Sequence, residues 1–144
     1  MQVLLCFGRC TATPGSPTGP DTAILRAPAG APAPDTVVVT TGLNATTINS
    51  DAATDTVTVD AALLADGTLL TLTGGENFIV TGLKGNLDAG TLTGTLTVTT
   101  VDVSDIAITT GVGANTLNAQ ALSDGHTLGL RGRHAAAGHV NAGG

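Results

Sequence analysis

The chain has 144 residues, of which 26 are Thr and 21 are Ala, while only 11% are charged and the aromatic residues are Phe7 and Phe78 alone. A net charge of −6 offers no basic field for phosphate groups, and without Trp or Tyr there is no broad aromatic platform on which bases or sugar rings could stack. Length and composition therefore predict a single domain and argue against a nucleic-acid or carbohydrate partner.

Residues 1–34 differ sharply in composition from the rest of the chain. All six Pro residues lie between positions 14 and 34, mixed with Gly, Ala, Ser and Thr, as is typical of disordered segments. Cys6 and Cys10 lack the further Cys or His that a zinc site needs, so free thiols are predicted, with a disulfide as the alternative in an oxidising compartment. The apolar run from Val3 to Phe7 is too short for a membrane span or a signal-peptide core. We expect residues 1–34 to be a disordered lead with no transmembrane segment.

Residues 35–125 contain short segments in which apolar and hydroxyl residues alternate. Three of these segments are Thr56–Val59, Leu70–Thr73 and Thr95–Thr99, and Gly-containing turn signals separate them. Alternation with a period of two predicts β-strands that each bury one face. The one helical candidate, Asp60–Ala65, is too short to be stable by itself before Asp66-Gly67 ends it.

An internal repeat links the two ends of this middle part. Residues 37–58 align without a gap with residues 106–127, an offset of 69, and nine of 22 positions are identical. A repeat of this length indicates an array of similar structural units. One third of 69 is 23, and this weaker sub-period aligns Val57, Val80 and Val103.

Short strands with this repeat favour an all-β fold, a parallel β-solenoid of about four coils over residues 35–125. A solenoid stacks Val, Ile and Leu in ladders, whereas the alternative, a β-sandwich, needs large side chains to fill a core about 10 Å thick. With only Phe78 in this range, the solenoid is the preferred prediction.

Three stretches of the middle part belong together: residues 61–75 (AALLADGTLLTLTGG), 78–89 (FIVTGLKGNLDA) and 94–100 (GTLTVTT). Together they resemble one unit of the β-strand repeats in very large secreted bacterial surface and adhesin-type proteins. The resemblance covers about residues 37–125. Such arrays often accompany calcium-binding nonapeptide repeats, so it implies export, an extracellular or cell-surface location, and a structural or adhesive role.

Calcium is the first ligand to consider, because the middle of the chain is acidic. Asp102 and Asp105 present two carboxylates, and Glu76 and Asn77 follow a double glycine. The nonapeptide signature G-G-x-G-x-D is absent, so no specific metal site is predicted and weak calcium binding stays an alternative.

Other candidate chemistry depends on scattered polar residues. His126, His134 and His139 lie near the C-terminus, and Ser104 and Ser123 are the candidate nucleophiles, with Asp124 and His126 adjacent to Ser123. No nucleophile elbow is present, so neither catalytic nor cofactor-binding residues are predicted. A remote alternative is surface binding, for example to ice, by the pairs Thr56/Thr58, Thr71/Thr73, Thr91/Thr93 and Thr97/Thr99, although ordinary strand alternation also explains them.

Residues 126–144 form a tail rich in Gly, Ala, His and Arg. Residues 35–125 carry ten of the eleven acidic residues and one basic residue, Lys84, for a charge of −9, whereas the flanks carry four Arg and one Asp for +3. Two explanations stay open for the flanks: flexible linkers, or a reading frame other than the natural one on either side of the repeat.

The sequence thus predicts a structural, non-enzymatic repeat segment, with a calcium-linked binding module as the alternative. Adjoining repeats of the same or a similar chain are the expected partners. Neither flank resembles a capping unit, so end-to-end self-association is also expected.

Overall fold

The computed structural model describes residues 11–12, 21–25, 36–50, 56–101, 105–123, 125–132 and 139–142. Its regular structure is entirely β. The strands, in chain order, are β1 Thr11–Ala12, β2 Asp21–Leu25, β3 Thr36–Thr40, β4 Thr46–Ser50, β5 Thr56–Asp60, β6 Leu69–Gly74, β7 Asn77–Leu83, β8 Asn86–Asp88, β9 Leu96–Thr100, β10 Ile106–Thr110, β11 Asn115–Ala119, β12 Leu128–Gly132 and β13 His139–Ala142.

The strands alternate between two sheets. Odd-numbered strands form a seven-stranded sheet and even-numbered strands a six-stranded sheet, and the paired neighbours are parallel. Two strands therefore make one coil, and β3 to β11 make about four coils, which confirms the predicted parallel β-solenoid and rules out the β-sandwich. We call the side where the chain leaves the seven-stranded sheet the first edge, and the side where it returns the second edge.

Strand formation follows the alternating sequence pattern. Strands β5, β6 and β9 match the three predicted segments to within one residue at each end. In β9, buried and exposed residues alternate strictly, so Leu96 and Val98 point inward while Thr97 and Thr99 face solvent. Residues of one face thus form the core and those of the other face form the surface.

The core consists of apolar ladders that run from coil to coil. In the seven-stranded sheet the register brings into line Val39, Val59, Val80, Val98 and Leu117, all buried. In the six-stranded sheet a facing ladder contains Leu70, Leu87 and Ile108. Because each coil packs mainly on its neighbours, the core is continuous along the solenoid axis.

The sub-period of 23 does not describe the coils. The register pairs Leu69 with Asn86, a separation shorter than the sub-period, and Thr46 with Leu70, a separation longer than it. The sub-period required Val80 to pair with Val57, but the register pairs Val80 with Val59. Coil length varies from β3 to β11 because the connections differ, from two residues between β7 and β8 to eight between β5 and β6.

The repeat with an offset of 69 has a different structural meaning. It superposes β3 on β10 and β4 on β11, which lie seven strands apart and therefore in opposite sheets. Buried Ile48 corresponds to buried Leu117, so the inward positions match although the sheets differ. The repeated unit is thus three and a half coils.

The helical candidate Asp60–Ala65 starts at the last residue of β5 and continues into a connection that contains no helix. The Leu64 amide donates to the Ala61 carbonyl at 3.1 Å, and the Thr68 amide donates to the Ala65 carbonyl at 3.1 Å. Two consecutive turns therefore carry the chain from β5 to β6.

Strands also lie outside residues 35–125. Strands β1 and β2 fall within residues 1–34, where the sequence predicts no regular structure, and β2 pairs with β4 over five residues. Strands β12 and β13 fall in the tail and pair with β10 and β11. Most other residues of the two flanks lie outside the described residues.

Candidate functional site

The outer face of the seven-stranded sheet carries side chains in register across its strands. One row across the strands contains Val38, Thr58, Ile79, Thr97 and Thr116 in register. Hydroxyl and methyl groups dominate these five residues, and none of the five is charged. Such a row offers weak, repeated polar and apolar contacts but no converging groups for a small ligand.

The structure separates the four Thr-x-Thr pairs. Thr56/Thr58 and Thr97/Thr99 lie on the outer face of the seven-stranded sheet, with β7 between them. Thr71/Thr73 lie on β6 of the opposite sheet, and Thr91/Thr93 lie in the connection from β8 to β9. The pairs therefore do not form one array, and the β7 residues Asn77 and Ile79 interrupt the two that share a face.

A recurring turn that the sequence analysis missed appears at three places. It has the pattern [D/N]-A-x-x-L, in which the carboxylate or amide oxygen accepts a hydrogen bond from the backbone N–H two residues later. The donor–acceptor pairs are Ala62 N to Asp60 Oδ1 (3.1 Å), Gly90 N to Asp88 Oδ1 (2.9 Å) and Gln120 N to Asn118 Oδ1 (3.2 Å).

The backbone of this turn is equally constant. The amides of Leu64, Leu92 and Leu122 donate to the carbonyls of Ala61, Ala89 and Ala119 at 3.1, 2.9 and 3.2 Å. The Ala side chains are buried, as are Leu64 and Leu92. The motif recurs at the ends of β5, β8 and β11, which is every third strand. The alignment of residues 37–58 with 106–127 did not reveal this spacing. These acidic and amide groups therefore have a structural role in ending strands.

The candidate calcium ligands are engaged in hydrogen bonds or buried. The Asn77 side-chain oxygen accepts from the Thr95 amide at 3.0 Å and from the Thr95 hydroxyl at 2.7 Å. The Asp105 carboxylate accepts from the Thr127 amide at 2.8 Å, and this hydrogen bond lowers the pKa of Asp105 below its ordinary value. Glu76 is buried at the second edge, and Asp102 lies outside the described residues.

We expect calcium to have little effect on thermal stability. Adding about 1 mM calcium should raise the melting temperature by less than about 5 °C, because a ligand stabilises a protein only when it binds the native state selectively. The measurement is a thermal melt followed by circular dichroism, with equimolar magnesium as the control. A larger increase with calcium but not with magnesium would establish the calcium-linked binding module instead.

Of the remaining candidate residues, Ser123 and His126 are those whose side chains the structure describes. His126 is exposed, and its amide donates to the Ser123 carbonyl at 3.3 Å in a turn. Cys6, Cys10, Ser104, Asp124 and His134 lie outside the described residues, and of His139 only the backbone is described. Within the described ranges, no three or more His, Cys, Asp or Glu side chains form a group that could hold a metal ion.

The second edge is where the coils approach most closely. A Cβ atom on Gly94 would lie 1.7 Å from the Glu76 carbonyl oxygen, and one on Gly113 would lie 2.0 Å from the Gly94 carbonyl oxygen. Gly75, Gly94 and Gly113 lie in the connections of three successive coils at this edge. Glycine is required at positions 94 and 113 because backbone from the preceding coil fills the space of a side chain.

Comparison with known proteins adds no functional assignment. In the part of the chain that the structure describes, no helix has the length and apolar character needed to span a membrane. No protein-family model matches the chain, and comparison with curated proteins and with solved structures gives no significant match either.

Proposed function

We propose that this chain is a structural repeat segment of a secreted or cell-surface bacterial protein, where it serves as a stalk-like spacer without catalysis. The observation that carries the proposal is the unbroken ladder from Val39 to Leu117, in which each coil supplies equivalent apolar residues. An architecture of this kind becomes longer when coils are added, so it is suited to spanning a distance rather than to enclosing a ligand pocket.

The surface chemistry also supports a spacer. Acidic and amide side chains such as Asp60, Asp88 and Asn118 shape turns, and Thr is the commonest residue on the outer faces of the described strands. A charge of −9 over residues 35–125 favours solubility and disfavours sideways aggregation of neighbouring copies. These features fit a segment that holds other parts of a protein away from the cell.

Labelling of intact cells tests the proposed location. An antibody raised against the purified chain should label intact cells that produce the protein, or detect it in their medium. An antibody against a cytoplasmic protein is the control and should label only permeabilised cells. A signal for this chain that appears only after permeabilisation, with none in the medium, would contradict the proposal.

A further inference from the structure

The start of β7 is joined to the following coil by a side chain as well as by the backbone. Asn77, the first residue of β7, accepts hydrogen bonds through its side-chain oxygen from the Thr95 amide at 3.0 Å and from the Thr95 hydroxyl at 2.7 Å. The Thr95 carbonyl in turn accepts from the Phe78 amide at 2.9 Å. We call this arrangement a bracket, because it fixes the first inward residue of a strand against the next coil.

Asp105 forms the equivalent bracket between β10 and β12. Its carboxylate accepts from the Thr127 amide at 2.8 Å, and the Thr127 carbonyl accepts from the Ile106 amide at 3.0 Å. The Thr127 side chain also hydrogen-bonds to the carboxylate. Asp105 directly precedes Ile106, just as Asn77 directly precedes Phe78. The two brackets therefore have the same geometry, but the acceptor is an amide in one and a carboxylate in the other.

A third strand start shows that an amide is sufficient as the acceptor. Asn86, the first residue of β8, accepts through its side-chain oxygen from the Ala107 amide at 2.8 Å. Asn77 and Asn86 thus supply an acceptor without a charge, whereas Asp105 supplies one that can be ionised. A hydrogen bond to a carboxylate is stronger than one to a neutral oxygen. The bracket at Asp105 has this additional strength only while its carboxylate is ionised.

The surroundings of Asp105 let solvent pH control that ionisation, because the side chain is exposed. In the described parts of β8, β12 and the connections that precede them, the charged or titratable groups are Lys84, Asp88, His126 and Arg131. The hydrogen bond from Thr127 is the main cause of the lowered pKa of Asp105, and attraction to His126 lowers that pKa further. The stabilisation is therefore complete above the ordinary pKa of an aspartate and is lost as the pH falls through the lowered value of the folded protein.

We propose that Asp105 is an acid-sensitive latch between β10 and β12. At neutral pH the ionised carboxylate holds the start of β12 on β10, and protonation in acid weakens this contact, while the brackets at Asn77 and Asn86 keep their strength. The latch depends on contacts within the fold and not on cellular location, so the labelling of intact cells does not bear on it.

Hydrogen exchange of the β12 backbone amides tests the latch in the full chain, with rates corrected for the intrinsic pH dependence of exchange. Asp105→Asn keeps an acceptor oxygen but removes the ionised form. At neutral pH the wild type should protect β12 about threefold more than this variant does, and the ratio should fall towards one at about pH 2. The same ratio for the amides of β9, which the bracket at Asn77 holds, should stay at one.

Asp88→Asn is the matched control. It removes the same charge, but the Asp88 carboxylate accepts from the Gly90 amide of its own coil, so this variant should protect β12 as the wild type does. As a second measurement, the Thr127 amide shift in an NMR pH titration should show an acid transition that is absent from Asp105→Asn. A β12 ratio that does not depend on pH, an equal effect of Asp88→Asn, or a Thr127 shift that is the same in both proteins would each overturn the proposal.

Discussion

Replacing Phe78 with alanine should lower the free energy of unfolding by about 3 to 5 kcal/mol, the usual cost of removing a large aromatic side chain from a core. Phe78 is 1% exposed and is the largest side chain in its ladder, between Val57 and Leu96. Neighbouring coils cannot close the resulting cavity without a shift of the parallel register. A domain of this size has a total stability of about 5 to 15 kcal/mol, so much of it would be lost. Urea denaturation followed by circular dichroism gives the measurement.

The adjacent residue provides the control for this substitution. Ile79 lies on the same strand but faces outward and is 38% exposed. Ile79→Ala should therefore cost about 1 kcal/mol or less, mainly through the lower strand preference of alanine. An equal decrease in the free energy of unfolding for Phe78→Ala and Ile79→Ala would show that the inward and outward faces of β7 are not as described.

Gly94→Ala should destabilise the protein by about 3 kcal/mol or more, because the added methyl group meets backbone rather than a movable side chain. Its Cβ would lie 1.7 Å from the Glu76 carbonyl oxygen, 2.4 Å from the carbonyl carbon and 2.7 Å from the Gly75 carbonyl oxygen. Relief requires separation of two coils at the second edge. We expect a reduced urea midpoint and a lower melting temperature, measured as for Phe78→Ala.

Gly75→Ala is the matched control at the same edge. The nearest atom to its added Cβ would be the Thr93 hydroxyl oxygen at 3.7 Å, an ordinary contact distance. The free energy of unfolding should therefore change by no more than about 0.5 kcal/mol. If Gly94→Ala were as mild as Gly75→Ala, the coils would not be stacked as closely as the structure places them.

The fold class was predictable because side-chain alternation carries direct information about strands. Thr56 to Val59 and Leu70 to Thr73 alternate with a period of two, and the structure has β5 and β6 there. The small aliphatic core indicated ladders rather than a thick sandwich core, and the ladder that contains Val59 and Val80 confirms this. Local pattern and composition were sufficient for these conclusions.

The coil length was not predictable from the same pattern. Two segments can align well in sequence when their strands have similar patterns of buried residues, even if the strands belong to different sheets. Here the offset aligns Val37 of the seven-stranded sheet with Ile106 of the six-stranded sheet. Division of 69 by three assumed that the repeat returns to the same sheet after whole coils. The connection lengths, which set the true register, depend on turns such as that after Asp60 and not on strand periodicity.

The sequence pattern also could not predict which groups the candidate site residues contact. Asp105 and Asn77 are candidate oxygen ligands by type, but each accepts a hydrogen bond from the neighbouring coil, from Thr127 and Thr95. These partners are 22 and 18 residues away, so only the register brings them together. The spacing of the motifs at Asp60, Asp88 and Asn118 could have identified the turns, because the following Ala and Leu recur with them.

A repeat of seven strands also determines how often a partner could bind along an extended array. In such an array each successive unit would present its equivalent strands on the opposite side of the solenoid, as β10 and β11 do relative to β3 and β4, since seven is odd. A rigid partner that recognises one side would therefore meet an identical surface only after two units, or seven coils. At about 4.8 Å per coil, the binding positions on one side would be about 34 Å apart. Two partners on opposite sides would be offset by half that distance, so a stalk built this way would carry bound molecules in a staggered double row.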